Sequence, residues 1–532
     1  MGLKQQDTDF RYPGISYIDY KLLDMDRVLT AFLMRLNHGG APSRVSRSAD
    51  LTVDHYAEEM SKKEENRHLF EGFDEETTRR WVESHLIDMV NRGKPTQKIA
   101  GLRPLYGYTY RLRNARHSRS YGADEHLYEL LRHASAGRDG DTLRLLREFF
   151  FPDLNGALGP LTATADVDVE TQALISLVEA VKNQVTDTRD NRARMSYPPL
   201  LPDAAKLLAD DVVRLLYHRR YIPRSVMIDY LKILFAFHMG LYHLRLLKTL
   251  PALTAGQIPE TQHGFFLDVG GTPNSPSAKL AERSAQTWYA RIPDFVRSTY
   301  LVKKLDDFAR HLHRRGKRVS GAEGPVPVTD LLRLLGPSWT KDRDAFGTFK
   351  LTALLESTAA DDREREIREI IDLGLDDFTT YVEIVTAYKV NFHRKYLTEC
   401  LDALLLKNRS GAMIAQPRRG RRRFVLDGRL LEVLLQIALL TPAPGGGLHT
   451  AELRVDEFLA ILRDRYGLYV DRLPPGDGFD RAAITDHTAL RANLNAFVSR
   501  LREIGFYSDL SDAYLSQTIT PRYVVSTDGT TR

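Results

Sequence analysis

The chain has 532 residues, of which 43% are hydrophobic and 27% are charged. This apolar content excludes disorder over most of the length, because it can offset the entropy lost on folding. The length predicts three or four domains. Cys400 is the single cysteine, which excludes an internal disulfide and a cysteine-based zinc or iron–sulfur site and is typical of a reducing cytoplasm, where we expect the protein.

The first half of the chain is predicted to be helical. Apolar residues recur at helical spacing, and Asp74 with Thr77 provides a start signal for the second helix. The predicted helices are 20–37, 74–90, 125–131, 142–150, 167–185, 204–217 and a long helix from Pro223.

The most apolar stretch, residues 226–247, carries charged side chains that include Asp229, Lys232 and Arg245. A membrane-spanning helix would expose these charges to lipid, so we expect a buried or amphipathic helix and no membrane contact. The polar amino terminus also lacks the apolar core of a secretory signal.

The middle of the chain predicts one buried strand at 264–270, with the sequence GFFLDVG. Gly- and Pro-rich residues 321–327 predict a linker or an exposed loop, and Thr329 or Asp330 is the predicted cap of the helix that follows. The predicted helices here are 277–308, 331–335, 349–356, 362–372 and 376–406.

The carboxy-terminal segment predicts three helices, 430–440, 454–466 and 487–504, followed by short strands at 506–509 and 514–525. Helix, helix, helix and a terminal hairpin is an order that resembles the winged helix-turn-helix domain.

We therefore predict a mainly α protein, with a multi-helical body, a C-terminal winged helix domain and few short strands. The predicted domains are residues 1–150, 151–320, 321–416 and 417–532.

The resemblance implies that the helix at 487–504 is a recognition helix. Its predicted outward face carries Arg491, Asn495, Ser499 and Arg502, residue types that suit contacts with bases and phosphates. Additional phosphate contacts are expected from arginines of the terminal hairpin and of the basic connector 416–423, which are Arg522, Arg418, Arg419, Arg421, Arg422 and Arg423.

A second interpretation of the same residues remains open. Winged helices also serve as protein-binding modules, and an Arg, Asn and Ser face is ordinary solvated helix surface. Residues 418–532 hold sixteen Arg against fourteen acidic residues, so this segment is not strongly basic. The connector arginines equally suit a flexible, solvated linker.

A second basic segment lies at residues 92–123, which contain eight Lys or Arg and no acidic residue. Interleaved tyrosines would share one side of an extended strand, where they could stack on unpaired bases. The alternative is an edge hairpin whose tyrosines cover a helical core. The candidate nucleic-acid contacts are Arg103, Tyr106, Tyr108, Tyr110, Arg111, Arg113, Arg116 and Arg119.

Signals for catalysis are weak, and we expect a non-catalytic protein without a metal or a cofactor. Asp268–Thr272 (DVGGT) after a strand is similar to the phosphate loop of actin-like sugar kinases, which gives a phosphate-ester enzyme as one alternative. In that family the motif opens the chain, so a strand-to-helix turn capped by Ser275 or Ser277 is favoured. His393 and Cys400 could form a nucleophile pair, although a buried core cysteine is more common.

The whole chain resembles accessory proteins of bacterial methylation-associated or phosphorothioation-linked anti-phage defence systems. This resemblance is carried by residues 424–523, with RYG at 465–467 and IGFYSDLSDA at 504–513. It implies a non-catalytic subunit that binds DNA or RNA within a multiprotein antiviral complex. A structural scaffold whose winged helix binds other defence proteins is the alternative.

Overall fold

A computed structural model describes most of the chain. The described residues are 8–47, 52–62, 71–135, 141–151, 168–192, 195–319, 325–358, 364–418, 420–443, 447–479, 484–507 and 518–525.

Helices dominate the described residues, which confirms the mainly α prediction. The α-helices are α1 Met25–Asn37, α2 Val53–Lys62, α3 Glu75–Trp81, α4 Ala123–Ser135, α5 Asp141–Phe150, α6 Val169–Ala180, α7 Pro202–Tyr217, α8 Arg224–Thr254, α9 Pro276–Tyr289, α10 Ile292–Arg314, α11 Val328–Leu332, α12 Thr340–Thr358, α13 Glu364–Ile371, α14 Asp377–Leu405, α15 Gly428–Ala438, α16 Val455–Ile461 and α17 Ile484–Glu503.

The strands are short and pair in twos. They are β1 Ser43–Arg47, β2 Ile87–Val90, β3 Lys98–Leu102, β4 Val185–Arg189, β5 Phe265–Phe266, β6 Ile414–Ala415, β7 Arg423–Phe424, β8 Leu440–Pro442, β9 Leu448–Thr450, β10 Leu453–Arg454, β11 Leu468–Tyr469 and β12 Thr518–Ile519. The pairs are β1–β4, β2–β3, β6–β7, β8–β9 and β10–β12, all antiparallel, and β5–β11, which is parallel.

Helix starts follow local capping chemistry. Asp74 accepts a hydrogen bond from the backbone N–H of Thr77, as the sequence predicts, and Asp376 caps α14 in the same way. Three of the helix predictions were wrong. The helix predicted over 74–90 ends at Leu86, and its last four residues form strand β2. The helix predicted over 277–308 is two helices that separate at Ala290 and Arg291, and α11 begins after Pro327 without a side-chain cap.

The apolar helix α8 lies at the centre of the packing. It contacts α7, α10, α14 and α15, and most of its residues are buried on every side. Nε2 of the buried His238 on α8 lies 2.9 Å from the carboxylate of Asp211 on α7 inside the protein. None of the helices in the described ranges is long and apolar enough to cross a membrane. The principal hydrophobic cluster runs from Phe10 to Ile519.

The predicted strand at 264–270 is present as β5 and its buried extension, Leu267 and Asp268. It pairs in parallel with β11, and Asp268 forms a further parallel bridge with Val425. The indole N–H of Trp288 on α9 donates to the carbonyl of Gly264 over 2.9 Å. These contacts hold the carboxy-terminal segment against the middle of the chain.

Gly467 ends the helical segment before β11 and adopts the left-handed conformation that the sequence predicts, with a φ of 75°. A β-carbon at this position would lie 2.0 Å from the carbonyl oxygen of His263. We expect Gly467→Ala to lower the melting temperature strongly, because the backbone strain is joined by a direct collision. Thermal unfolding monitored by circular dichroism measures the effect.

Gly256 provides the matched control. Its φ is 71°, and a β-carbon there would meet no atom within 4 Å. Gly256→Ala should therefore cost only the left-handed strain, about 1–2 kcal/mol. If Gly467→Ala and Gly256→Ala lower the melting temperature equally, Gly467 does not lie close to the carbonyl of His263.

Candidate nucleic-acid interface

Helix α17 has one face against the protein and one face in solvent. Ala489, Phe497 and Leu501 are buried on the inner face, in agreement with the apolar periodicity of this helix. Phe497 stacks on Phe458 of α16 with a centroid separation of 6.1 Å. The helix therefore has a defined outer face.

Asn493 fixes the rotation of α17, and it was missed by sequence reasoning. Its side-chain amide donates to the carbonyls of Leu267 (2.8 Å) and Val470 (2.9 Å), and its oxygen accepts from the N–H of Val269 (2.9 Å). Asn493 is 1% exposed, so these bonds satisfy a buried group. The sequence did contain a signal for this role, because Asn493 is a polar residue close to the apolar residues that form the buried face of the helix.

Three of the four predicted recognition residues are exposed, and their side chains form no hydrogen bond, ion pair or ring contact with the described residues. These are Arg491, Asn495 and Ser499, which follow one another on successive turns of α17. Their donors and acceptors are available to a ligand that lies along the helix.

Arg502 and Arg522 extend this surface at the end of α17. Arg502 is exposed, and its guanidinium lies 4.9 Å from the ring centroid of Tyr507. Arg522 donates to Glu432 on α15 over 2.5 Å and to the carbonyl of Ile504 over 3.2 Å. Arg522 is thus held at the helix end while its side chain remains 42% exposed.

Two further cations join this end of α17, and the sequence analysis did not select them. A β-carbon at Gly428 would lie 3.8 Å from Cδ of Arg500, so the start of α15 adjoins the last turn of α17. The neighbouring Arg429 is half exposed and bonds to the carbonyl of Lys407. Arg500 could have been noticed because it lies near Arg502 in the sequence. Arg429 is distant in the sequence and is adjacent only in three dimensions.

The connector 416–423 joins β6 to β7, which pair as an antiparallel hairpin. Arg418 and Arg421 are exposed at the turn, whereas Arg419 lies outside the described residues. Arg422 points inward, where it bonds to Asp402 over 2.6 and 3.0 Å and covers the ring of Tyr289.

Arg423 is 5% exposed and forms an ion pair with Asp268 at 3.2 Å. A guanidinium in a buried ion pair is not available to a phosphate, so neither Arg423 nor Arg422 is included in the surface that we assign to nucleic acid.

The tyrosines of the 92–123 segment do not share one side of a strand, and that prediction was wrong. Residues Gly107–Leu112 form a 3₁₀-helix, in which the hydroxyl of Thr109 bonds to the carbonyl of Tyr106. Tyr106 and Tyr110 are buried, and Tyr110 donates to Asp187. Their rings belong to the core, which is the covering role that the sequence analysis held open.

The remaining side chains of this segment are divided between inside and outside. Arg111 lies 4.3 Å from the ring centroid of Tyr108 and 3.6 Å from Asp187. Arg103 bonds to the carbonyl of His85, and burial lowers the pKa of Arg113. Arg116 and Arg119 are the candidates of this segment that are exposed.

The carboxylate of the candidate phosphate loop is buried, whereas Gly270, Gly271 and Thr272 are exposed. Asp268 is 1% exposed and accepts from Arg423 and from the hydroxyl of Ser277, while Ser275 caps α9 as predicted. Burial also raises the pKa of Cys400 to about 12, which opposes a thiolate nucleophile. The described residues contain no group of three His, Cys, Asp or Glu that would hold a metal ion.

Comparison with known protein families gives a match over nearly the whole chain. The family described as methylation-associated defense system protein MAD7 matches residues 5–523 of the chain. Searches of curated proteins and of solved structures gave no match. Because the family match covers nearly the whole sequence, it confirms the resemblance that the sequence analysis stated. The chain belongs to the MAD7 family of methylation-associated defence system proteins.

Proposed function

We propose that this chain is a nucleic-acid-binding, non-catalytic subunit of its defence system, and that the outer face of α17 contacts DNA. The observation that carries the proposal is the outward row of Arg491, Asn495 and Ser499 on a helix whose other face is anchored by Asn493. A rigid helix with outward arginine and amide groups suits reading of the major groove.

The pairing of strands near α17 supports a winged helix assignment. β10 precedes α16 and pairs with β12, and Ile519 of β12 also bridges to Tyr507. Strand β12 therefore lies beside β10, the strand that precedes α16. Tyr507, which follows α17 by a short turn, also pairs with β12. The predicted tip of the hairpin, at 510–513, lies outside the described residues.

Charge at the end of α17 supports phosphate contact. Arg502 is exposed there beside Arg522, Arg500 and Arg429, which form ion pairs with Glu432, Glu503 and Asp427 that a phosphate would replace. The turn at Arg418 and Arg421 offers further exposed cations. Cations on a protein surface bind the DNA backbone by releasing condensed counterions, so affinity falls steeply as salt rises.

Fluorescence anisotropy with a labelled DNA duplex tests this function. We expect binding at about 50 mM salt that weakens by at least tenfold by about 200 mM, since several phosphates are contacted. A single-stranded RNA and a single-stranded DNA of the same length show whether the duplex is preferred.

Absence of binding to every nucleic acid at low salt would overturn the proposal. Capture of another protein of the same defence system, unaffected by salt and nuclease, would then favour the scaffold alternative. In that case the α17 face would be a protein-binding surface.

A further inference from the structure

Four large apolar side chains are exposed at the turn between α13 and α14 and on the adjoining part of α12. We call them the apolar tip, and they are Phe349, Ile371, Leu373 and Leu375. Phe349 and Leu373 are 68% and 66% exposed. The hydroxyl of Thr348 donates to Asp377, so this part of α12 adjoins the start of α14. Neighbouring exposed apolar side chains are typical of a surface that binds another protein.

The apolar tip carries negative charge. Residues 369–388 contain five acidic residues and no lysine or arginine. Asp372 is exposed within the tip, and Asp376, which caps α14, is exposed directly after it. Such a surface repels nucleic acid, and it suits a protein partner that presents apolar and cationic side chains together.

The same helix, α14, presents apolar and cationic side chains together further along the chain. We call this second region the basic surface, and it consists of Lys21, Leu22, Lys389, Phe392, Lys395 and Tyr396. Phe392 and Leu22 are 48% and 61% exposed. The ammonium group of Lys21 lies 4.2 Å from the ring centroid of Tyr396, and those of Lys389 and Lys395 lie 5.8 Å from the rings of Phe392 and Tyr396.

The three lysines of the basic surface form no ion pair with the described residues. Residues 389–398 also contain no acidic residue. The apolar tip and the basic surface therefore have opposite charge, and each has exposed apolar side chains at its centre. Two surfaces of this kind are complementary to each other.

A cavity of about 730 Å³ opens beside the rings of the basic surface and includes Lys21, Phe392 and Tyr396 in its lining. The two carboxylates of the lining already have cationic partners. Asp9 pairs with Lys303 at 3.2 Å, and Asp19 pairs with Arg11 at 3.4 Å. The cavity gives the basic surface a concave part that can accept side chains of the size of leucine.

The two surfaces cannot meet within one chain. Helix α14 is continuous from Asp377 to Leu405, and Phe392 lies well inside it. Because an α-helix rises 1.5 Å per residue, the start of α14 and Phe392 are about 22 Å apart. A second copy of the chain can bring the surfaces together. Around a two-fold axis the contact forms twice, so the assembly closes as a dimer.

We propose that this chain forms a two-fold dimer in which the apolar tip of each copy docks on the basic surface of the other. Leu373 and its apolar neighbours lie against Phe392 and Leu22, while Asp372 faces the lysines. The proposal is independent of DNA contact by α17, so either one can fail without the other.

Sedimentation velocity of the full chain measures the assembly. We expect a species of twice the chain mass of 60.5 kDa at micromolar concentration. Leu373→Asp places a charge in the apolar contact and should weaken dimerisation by about tenfold or more. A chain that stays monomeric up to about 100 µM lacks a specific interface of this kind, and that result would overturn the proposal. Unchanged dimerisation of Leu373→Asp would overturn it as well.

Charge reversal tests the pairing of the two surfaces. Glu369→Lys with Asp372→Lys makes the tip basic, and Lys389→Glu with Lys395→Glu makes the basic surface acidic. Each double variant alone should be monomeric, because like charges then meet. An equimolar mixture of the two should form the dimer again, because opposite charges meet at both contacts. A mixture that remains monomeric contradicts the pairing.

Lys206→Glu with Lys279→Glu is the matched control, since it reverses two exposed lysines on α7 and α9. We expect this variant to dimerise like the unchanged protein and to leave the Glu369 and Asp372 variant monomeric when the two are mixed. Loss of the dimer in the control would show that net charge governs association, and it would overturn the assignment of the two surfaces. Far-ultraviolet circular dichroism shows that each variant is folded.

Discussion

Replacing Arg491 and Arg502 together by alanine should weaken binding to duplex DNA by about 30-fold at low salt. Both side chains are exposed on the outer face of α17, and an arginine that contacts a base or a phosphate contributes about 1–3 kcal/mol. The dependence of affinity on salt should also become shallower by about two counterions. Anisotropy titrations across a salt series measure both quantities.

A matched pair of exposed arginines far along the chain controls for net charge. Arg333 and Arg365 have side chains that are 79% and 91% exposed, and each pairs with an acidic residue on its own helical segment. Arg333→Ala with Arg365→Ala removes the same charge and should leave the salt dependence nearly unchanged. Equal losses of affinity in the two double variants would mean that α17 is not the contact surface.

Asp211→Ala should destabilise the protein by about 3–5 kcal/mol. The carboxylate is fully buried on α7, where it accepts from the hydroxyl of Tyr466 over 2.8 Å and meets Nε2 of His238 at 2.9 Å. It also receives a hydrogen bond from Arg465. Removing the carboxylate would leave these groups buried without their partner, which is the costly case for a buried ion pair.

Equilibrium denaturation with urea measures this effect as a lower transition midpoint. Glu356→Ala removes an exposed carboxylate from α12 and should change the free energy of unfolding by less than about 0.5 kcal/mol. If the urea midpoint of Asp211→Ala shifts no more than that of Glu356→Ala, the buried network does not stabilise the contact between α7, α8 and the segment before β11.

Features that depend on neighbours along the chain were predictable from the sequence. The positions of most helices, the cap at Asp74 and the left-handed glycine at 467 follow from rules that act within one or two helical turns. The outward direction of Arg491 and Asn495 followed in the same way, because the buried face of α17 is apolar at helical spacing.

Long-range pairing accounts for what the sequence did not reveal. The basic connector does not show by its sequence which of its arginines are buried. In the structure Arg422 pairs with Asp402 and Arg423 pairs with Asp268, whereas Arg418 and Arg421 are exposed. Which arginine is buried depends on carboxylates about 20 and 155 residues away along the chain. No local periodicity contains that information.

Local sequence patterns are enough to show that this protein is mainly helical, where most of its helices lie and which face of α17 turns outward. The three-dimensional packing was needed to show that Tyr106 and Tyr110 of the basic segment fill the core and that Arg422 and Arg423 are paired with distant carboxylates. The physical reason is range: helix formation and amphipathicity act over a few residues, whereas burial and charge pairing depend on which distant segments meet.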